Sequence, residues 1–141
     1  MTSTSSRSVI IALGSNLGDR AYNLRRAIHE MHDVVRIVRV STIHETEPID
    51  APAGSPRFLN MAVAGYTRLA PLALLDALQR IESRLGRIRR IRNAPRTIDL
   101  DLILYDAVRM RTPRLTLPHP RAHEREFVMA PLREITTVCR R

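Results

Sequence analysis

The chain contains no lysine. All 23 of its basic residues are arginines, set against 14 acidic ones for a formal charge of +9. Without lysine there is no P-loop, whose lysine reaches the phosphates, and no Schiff-base chemistry. A single cysteine, Cys139, excludes an intrachain disulfide. Nothing reads as a signal peptide or a membrane span, so a cytoplasmic protein of bacterial type, away from membranes, is the expectation. Aromatic side chains are scarce too, at two phenylalanines and three tyrosines. What arginine offers in place of lysine is a planar fork suited to bidentate gripping of phosphate or carboxylate. For most of the surface, arginine usage is accounted for by genome composition; a cluster asks for more.

With 141 residues, 44% of them hydrophobic, the chain suits one core and one domain, 1–141, whose polar first seven residues are expected to fray. "SVIIALGSN" reads as a short apolar strand ending in a turn. Asp19 then caps a helix with Ala21, Leu24, Ile28 and Met31 on one face. "VVRIVRVSTIHET" alternates as a strand and "FLNMAVAGYT" as another. Pro71 suits the first turn of a second helix, with Leu74, Leu78, Ile81 and Leu85 inward and Gly86 as its stop. "TIDLDLILYD" is a fourth long strand, and from Ala107 onward a small hairpin and short helices are expected. The order predicts an α+β, ferredoxin-like βαββαβ core, an antiparallel sheet with its helices packed on one face.

Two connections exceed what the topology needs. "EPIDAPAGSPR", Glu47 to Arg57, holds three prolines and a glycine, and six arginines with no acid fall between Arg84 and Arg96. Long loops in a compact domain are more often lids or binding loops than spacers. Directly after the basic loop, Asp99 and Asp101 sit two apart in a strand, on one face with Cα atoms about 6.5 Å apart, opposite Ile98, Leu100 and Leu102. Two carboxylates on one face suit Mg²⁺, which takes one or two carboxylates with waters and substrate phosphates. Two ions sharing the pair would suit a nucleotide triphosphate and in-line displacement. A solvated face or salt-bridge partners for arginine are the alternative reading.

"ALGSNLGDR", "TEP" followed by "FLN", "APRTIDLDLIL" and "LPHPRAHEREF" together resemble the 6-hydroxymethyl-7,8-dihydropterin pyrophosphokinase family of folate biosynthesis. The resemblance runs from about Ile11 to Ile135, with the motifs in family order. It implies transfer of the terminal diphosphate of ATP to the pterin hydroxymethyl group, giving AMP. It also implies that Asp99 and Asp101 bind two magnesium ions, that Arg87 and Arg96 contact the transferring phosphates, and that Arg125 and His119 lie near the ATP phosphates. Leu75, Gln79, Leu102, Arg114 and Thr116 would hold the adenosine portion of ATP. Phe58 and Phe127 would sandwich the pterin, with Asn60, the Thr46 backbone, Pro48 and Ile49 completing its pocket. Glu82 would stand behind the ligands.

The residues read on their own chemistry are compatible with this. A flat heterocycle binds between two aromatic faces, and an amide such as Asn60 both donates to and accepts from a pterin edge. Read blandly, either phenylalanine is core, His119 is a structural turn residue between prolines, and Glu82 forms a salt bridge on a helix surface. No dedicated general base is evident; phosphoryl transfer needs mainly alignment and charge stabilisation, with loops closing to keep water out. Asn93 stands where the family often has a bulky aromatic. The chain ends shortly after "PLREI", so an uncovered sheet edge, and a monomer or weak homodimer, are expected. The competing classes are a basic nucleic-acid-binding module on the same fold, which would need stacking aromatics that no strand here carries, and a metal-dependent phosphohydrolase, which would need no stacking rings.

Overall fold

The computed structural model describes residues 6–47, 53–86 and 97–137. Among these described residues, seven strands, three α-helices and one 3₁₀ turn follow in the order β1 (Arg7–Ser15), α1 (Arg20–Met31), β2 (Arg36–Val40), β3 (His44–Thr46), β4 (Phe58–Thr67), α2 (Pro71–Arg84), β5 (Asp99–Tyr105), β6 (Met110–Arg111), β7 (Thr116–Leu117), a 3₁₀ turn (Ala122–Glu124) and α3 (Glu126–Thr137). The main sheet is antiparallel in the order β2-β4-β1-β5, with β3 also paired to β4. Counting β2 and β3 as one interrupted strand, this is the expected βαββαβ arrangement. Arg7, expected in the frayed stretch, is instead the first residue of β1, opposite Thr67.

The helix signals in the sequence act as read. The Asp19 carboxylate accepts the Tyr22 N–H at 3.1 Å and starts α1. Pro71 occupies the first turn of α2, and Gly86, at φ +94°, follows its end. Leu24, Ala27 and Met31 of α1 and Leu74, Leu78 and Ile81 of α2 close over Val9, Ile11, Leu13, Leu100 and Leu102 of the sheet as the main core.

Two features depart from the expectation. The long strand over 34–46 breaks at Ser41: its N–H donates to the Ala62 carbonyl and its hydroxyl accepts the Ala62 N–H, each at 2.9 Å, so β4 is held while the chain turns. β2 is an edge strand and exposes Val38 and Val40, with Ile43 exposed in the break. The tail forms the expected small hairpin, β6 with β7, and a short 3₁₀ turn, but then a twelve-residue helix, α3, where only short ones were expected. It crosses the opposite sheet face, where Ala12, Ile103, Ala122 and Val128 make a second core with Phe127 and Leu132 against it. Helices therefore cover both faces. The sequence reads as one-sided because α3 buries only a short apolar stripe, spent on small residues of β1 and β4.

A bulge lets β5 serve both cores. Ile11 pairs with Leu102 and Ile10 with Leu104, leaving Ile103 unpaired. Before the bulge Leu100 and Leu102 face α1 and α2; after it Tyr105 does, while Ile103 and Leu104 join the α3 side.

Candidate active site

The sheet register brings the predicted site residues into neighbouring rungs. Gly14 of β1 lies between Asn60 of β4 and Asp99 of β5, and His44 of β3 lies on the far side of Asn60. One rung along, Ala12 lies between Ala62 and Asp101. Side chains at alternate positions share a face, so Phe58, Asn60, Asp99 and Asp101 all stand on the α3 side. Adjacent strands are about 4.8 Å apart, which puts the Asn60 and Asp99 backbones about 10 Å from each other across β1. The floor between them is glycine and alanine.

Gly14 is required to be small. A Cβ there would lie 3.0 Å from Asn60 Oδ1 and 3.4 Å from Phe58 Cδ1, so the amide and the ring lean over the space a side chain would fill. Asn60 is buried and donates from Nδ2 to the Thr46 hydroxyl at 2.6 Å. Thr46 in turn faces Phe58 across β3 and β4. The residues before Phe58 are tied down from the first motif: Asn16 Nδ2 donates to the Pro56 carbonyl at 3.2 Å, and Arg20 donates to the Arg57 carbonyl at 2.8 Å and to Glu45 at 3.0 Å.

The covering wall comes from the tail. Phe127, in the first turn of α3, packs on the Ala12 and Ile103 cluster, and the Arg125 guanidinium lies over its ring at 5.7 Å. The His119 N–H donates to the Ile103 carbonyl at 2.9 Å, which anchors the histidine beside the aspartate strand. Its Nδ1 accepts the Arg121 N–H at 3.2 Å. Burial, and then the charges of Arg125 and Arg121, hold the imidazole below its usual pKa. At neutral pH this ring is uncharged, and because Nδ1 is an acceptor the proton resides on Nε2.

Asp101 is exposed and Asp99 half-buried. Glu82, for which a place behind the ligands and a surface salt bridge were the two readings, is buried at 3% exposure, and its carboxylate accepts the Leu100 N–H at 2.8 Å, between the two aspartates. That N–H belongs to an edge strand, so the glutamate supplies the acceptor a further strand would have given. Periodicity alone could have found this: Glu82 follows Leu78 by four residues on the inner face of α2.

The adenosine set lies around the β5 edge. Arg114 joins Asp76 at 2.5 Å and Gln79 at 3.2 Å, bringing two of its predicted members together. Thr116 is half-buried in β7, beside β5. Leu75 and Leu102 are core residues between α2 and β5, and their side chains point away from the aspartate face. Arg87, Arg96, Pro48 and Ile49, with Asn93, lie outside the described residues.

Two oxygen-donor carboxylates on one face, one open to solvent, fit a hard cation that also takes phosphate oxygens. Among the described residues no group of three or more His, Cys, Asp or Glu is placed to hold a metal by itself. No helix among them is long and apolar enough to cross a membrane.

Comparison with known proteins bears on this arrangement. Residues 10–137 match the family model described as 7,8-dihydro-6-hydroxymethylpterin-pyrophosphokinase (HPPK). A Bacillus subtilis 2-amino-4-hydroxy-6-hydroxymethyldihydropteridine pyrophosphokinase is 48% identical over 127 residues, covering 89% of this chain and 75% of that protein. The mitochondrial folate synthesis bifunctional protein of Pisum sativum is 46% identical over 133 residues, 94% of this chain but only 26% of that longer protein. Among solved structures, the wild-type Plasmodium falciparum HPPK-DHPS superposes with a TM-score of 0.69 at 14% identity, over 92% of this chain and 41% of that one, which speaks to the fold alone. Family match, relatives and architecture agree across nearly the full length, and the chain belongs to the HPPK family.

Proposed function

We propose that this chain transfers the terminal diphosphate of ATP to the hydroxymethyl oxygen of 6-hydroxymethyl-7,8-dihydropterin, releasing AMP, as a step of folate biosynthesis. The observation that carries this is the pairing of two subsites on one sheet face. Thr46, Phe58 and Asn60 stand on one side of Gly14, and Asp99 and Asp101 stand on the other. Phe127 covers the face from α3.

Phe58 and Phe127 stack on the pterin, and Asn60 with the Thr46 backbone reads its edge; Pro48 and Ile49 complete this pocket. Gln79 and Arg114 bind the adenosine portion of ATP, alongside Leu75, Leu102 and Thr116. Asp99 and Asp101 hold two Mg²⁺ ions. When bound, these neutralise phosphate charge and lower the proton affinity of the acceptor hydroxyl. His119, whose Nδ1 is taken by the Arg121 N–H, donates from Nε2 to a phosphate oxygen and aligns it. Arg125, Arg87 and Arg96 supply charge, with forks that match the equatorial oxygens of the transferred group. Glu82 fixes the strand between the aspartates and thereby their spacing.

A basic nucleic-acid module is disfavoured because both sheet faces are covered by helices and the acidic pair occupies the open part of one. The chain acts as a monomer or weak homodimer, the exposed Val38 and Val40 of the β2 edge being the surface for self-association. Incubating the protein with ATP, Mg²⁺ and the reduced pterin alcohol tests the activity. AMP and the pterin diphosphate in equal amounts are expected. ADP, or ATP loss that does not depend on pterin, would refute the transfer and point to a phosphohydrolase.

A further inference from the structure

One carboxylate on α3 has no part in the reading above, yet three donor groups converge on it. Glu134 accepts the Thr42 N–H at 2.7 Å, has the Thr42 hydroxyl at 2.8 and 3.0 Å from its two oxygens, and lies 2.6 Å from His44 Nε2. Two of the three donor groups belong to Thr42 in the break between β2 and β3, and the third to His44, the first residue of β3. The Thr42 backbone and hydroxyl, then the His44 ring, hold the carboxyl down at a pKa of about 2. An exposed one-to-one ion pair is worth little, but several charge-assisted bonds converging on one carboxylate define a position.

That position bears on the pterin pocket. Phe127 and Glu134 are seven residues apart on α3, two turns, and so share a helix face. On the strand side, His44 is the cross-strand neighbour of Asn60, and the next pair on the same face is Thr46 with Phe58. The same helix that carries one wall of the pocket is thus tied, two turns away, to the strand that carries the other.

We infer that Glu134 is a positioning residue, clasping α3 to β3 through Thr42 and His44 and so setting the gap between Phe127 and the Phe58, Asn60 and Thr46 wall. The inference rests on the pterin-pocket reading. It assigns the interrupted strand a purpose: an unbroken strand would commit the Thr42 backbone to the sheet ladder, whereas the break aims its N–H at α3.

The test measures binding of 7,8-dihydro-6-hydroxymethylpterin, and separately of a nonhydrolysable ATP analogue with Mg²⁺, by calorimetry, with a thermal transition for each protein. Glu134→Gln and His44→Leu should each weaken pterin binding by about 5- to 10-fold, as expected for loss of one or two such bonds, with the ATP analogue within about 2-fold of wild type. His44→Gln keeps an N–H donor at similar reach and should restore most of the pterin affinity, which a merely space-filling role would not require. Variants that bind pterin as wild type does overturn the clasp. Parallel loss of both ligands, or His44→Gln as weak as His44→Leu, also overturns it. Failure of the wild-type protein to bind the pterin at all would instead refute the pocket itself.

Discussion

Gly14→Ala adds one methyl group at the centre of the proposed site, and its consequences divide between stability and binding. The new Cβ would stand 3.0 Å from Asn60 Oδ1, so the amide must retreat by about 0.4 Å to reach ordinary carbon–oxygen contact; the 3.4 Å approach to Phe58 Cδ1 is tight and tolerable. Both neighbours are side-chain atoms that can move. Gly14 sits in a β1 conformation open to any residue, so alanine also stabilises by about 0.5–1 kcal/mol through the unfolded chain. That gain offsets a similar strain, and the thermal transition should move by less than about 4 °C. Binding has no such offset. An amide displaced by that distance weakens at least one hydrogen bond to the pterin edge, about 1 kcal/mol, and a nudged Phe58 loses part of its stacking, about 0.5 kcal/mol. Pterin affinity should therefore fall roughly 5- to 30-fold while the Mg²⁺-ATP analogue binds as before. Gly65→Ala is the control: its Cβ would meet the Arg36 carbonyl oxygen at 2.3 Å, a backbone atom that cannot yield without parting β2 from β4. It should cost about 2 to 3 kcal/mol of stability and leave the pterin affinity of the folded protein unchanged. If Gly14→Ala binds pterin like wild type, or loses both ligands together with stability, Asn60 and Phe58 do not form the pterin wall.

Three further outcomes are expected. Phe127→Ala should weaken pterin binding by roughly 1 to 3 kcal/mol with little change for ATP; equal loss for both ligands in calorimetry would make the ring core alone. Asp101→Asn, at an exposed position, should keep the ligand-free thermal transition within about 3 °C while turnover falls by at least ~10³-fold. Retained turnover would remove the aspartates from the reaction. For acid stability, the Glu134 carboxyl titrates lower in the folded protein, at about 2, than its ordinary value of 4.5. Its contribution is therefore complete above about pH 4.5 and is lost as the pH falls toward 2. The difference in urea midpoint between wild type and Glu134→Gln should persist at pH 5 and 7 and close toward pH 2. A pH-independent difference would show that charge has no share in it.

The sequence exposed the fold where local chemistry and tertiary demand agreed. Asp19 caps a helix because its side chain can reach an N–H three residues on, whatever else surrounds it. Asp99 and Asp101 share a face because any strand alternates. What stayed hidden depended on a distant partner. Ser41 ends a strand only because Ala62 takes both of its bonds, and Glu134 matters only because a loop 90 residues earlier in the chain meets it. For Glu82 charge suggests a surface salt bridge, while the family resemblance and its register with Leu78 point inward, and it is inward that its carboxylate accepts the Leu100 N–H of the edge strand. Arg87 and Arg96, read from the basic loop that precedes the aspartates, lie outside the described residues.

The location of the site on this sheet has its own origin in side-chain size. Along β1, the residues facing α1 and α2 are Val9, Ile11 and Leu13, all large and all buried in the main core. Those facing α3 are Ile10, Ala12 and Gly14, a taper from a large side chain to none. β4 runs antiparallel and adds Ala64 and Ala62 before Asn60 and Phe58. A helix lying on such a face rests against the bulky end, and Val128 and Leu132 of α3 do so with Ile10 and Ala12. At Gly14 the floor has no side chain at all, and Asn60 Oδ1 and the Phe58 ring lean over the space that one would fill. Alanine at Gly14 therefore probes the proposed pterin wall more than the fold, because its methyl group would meet side-chain atoms that can shift and not the backbone.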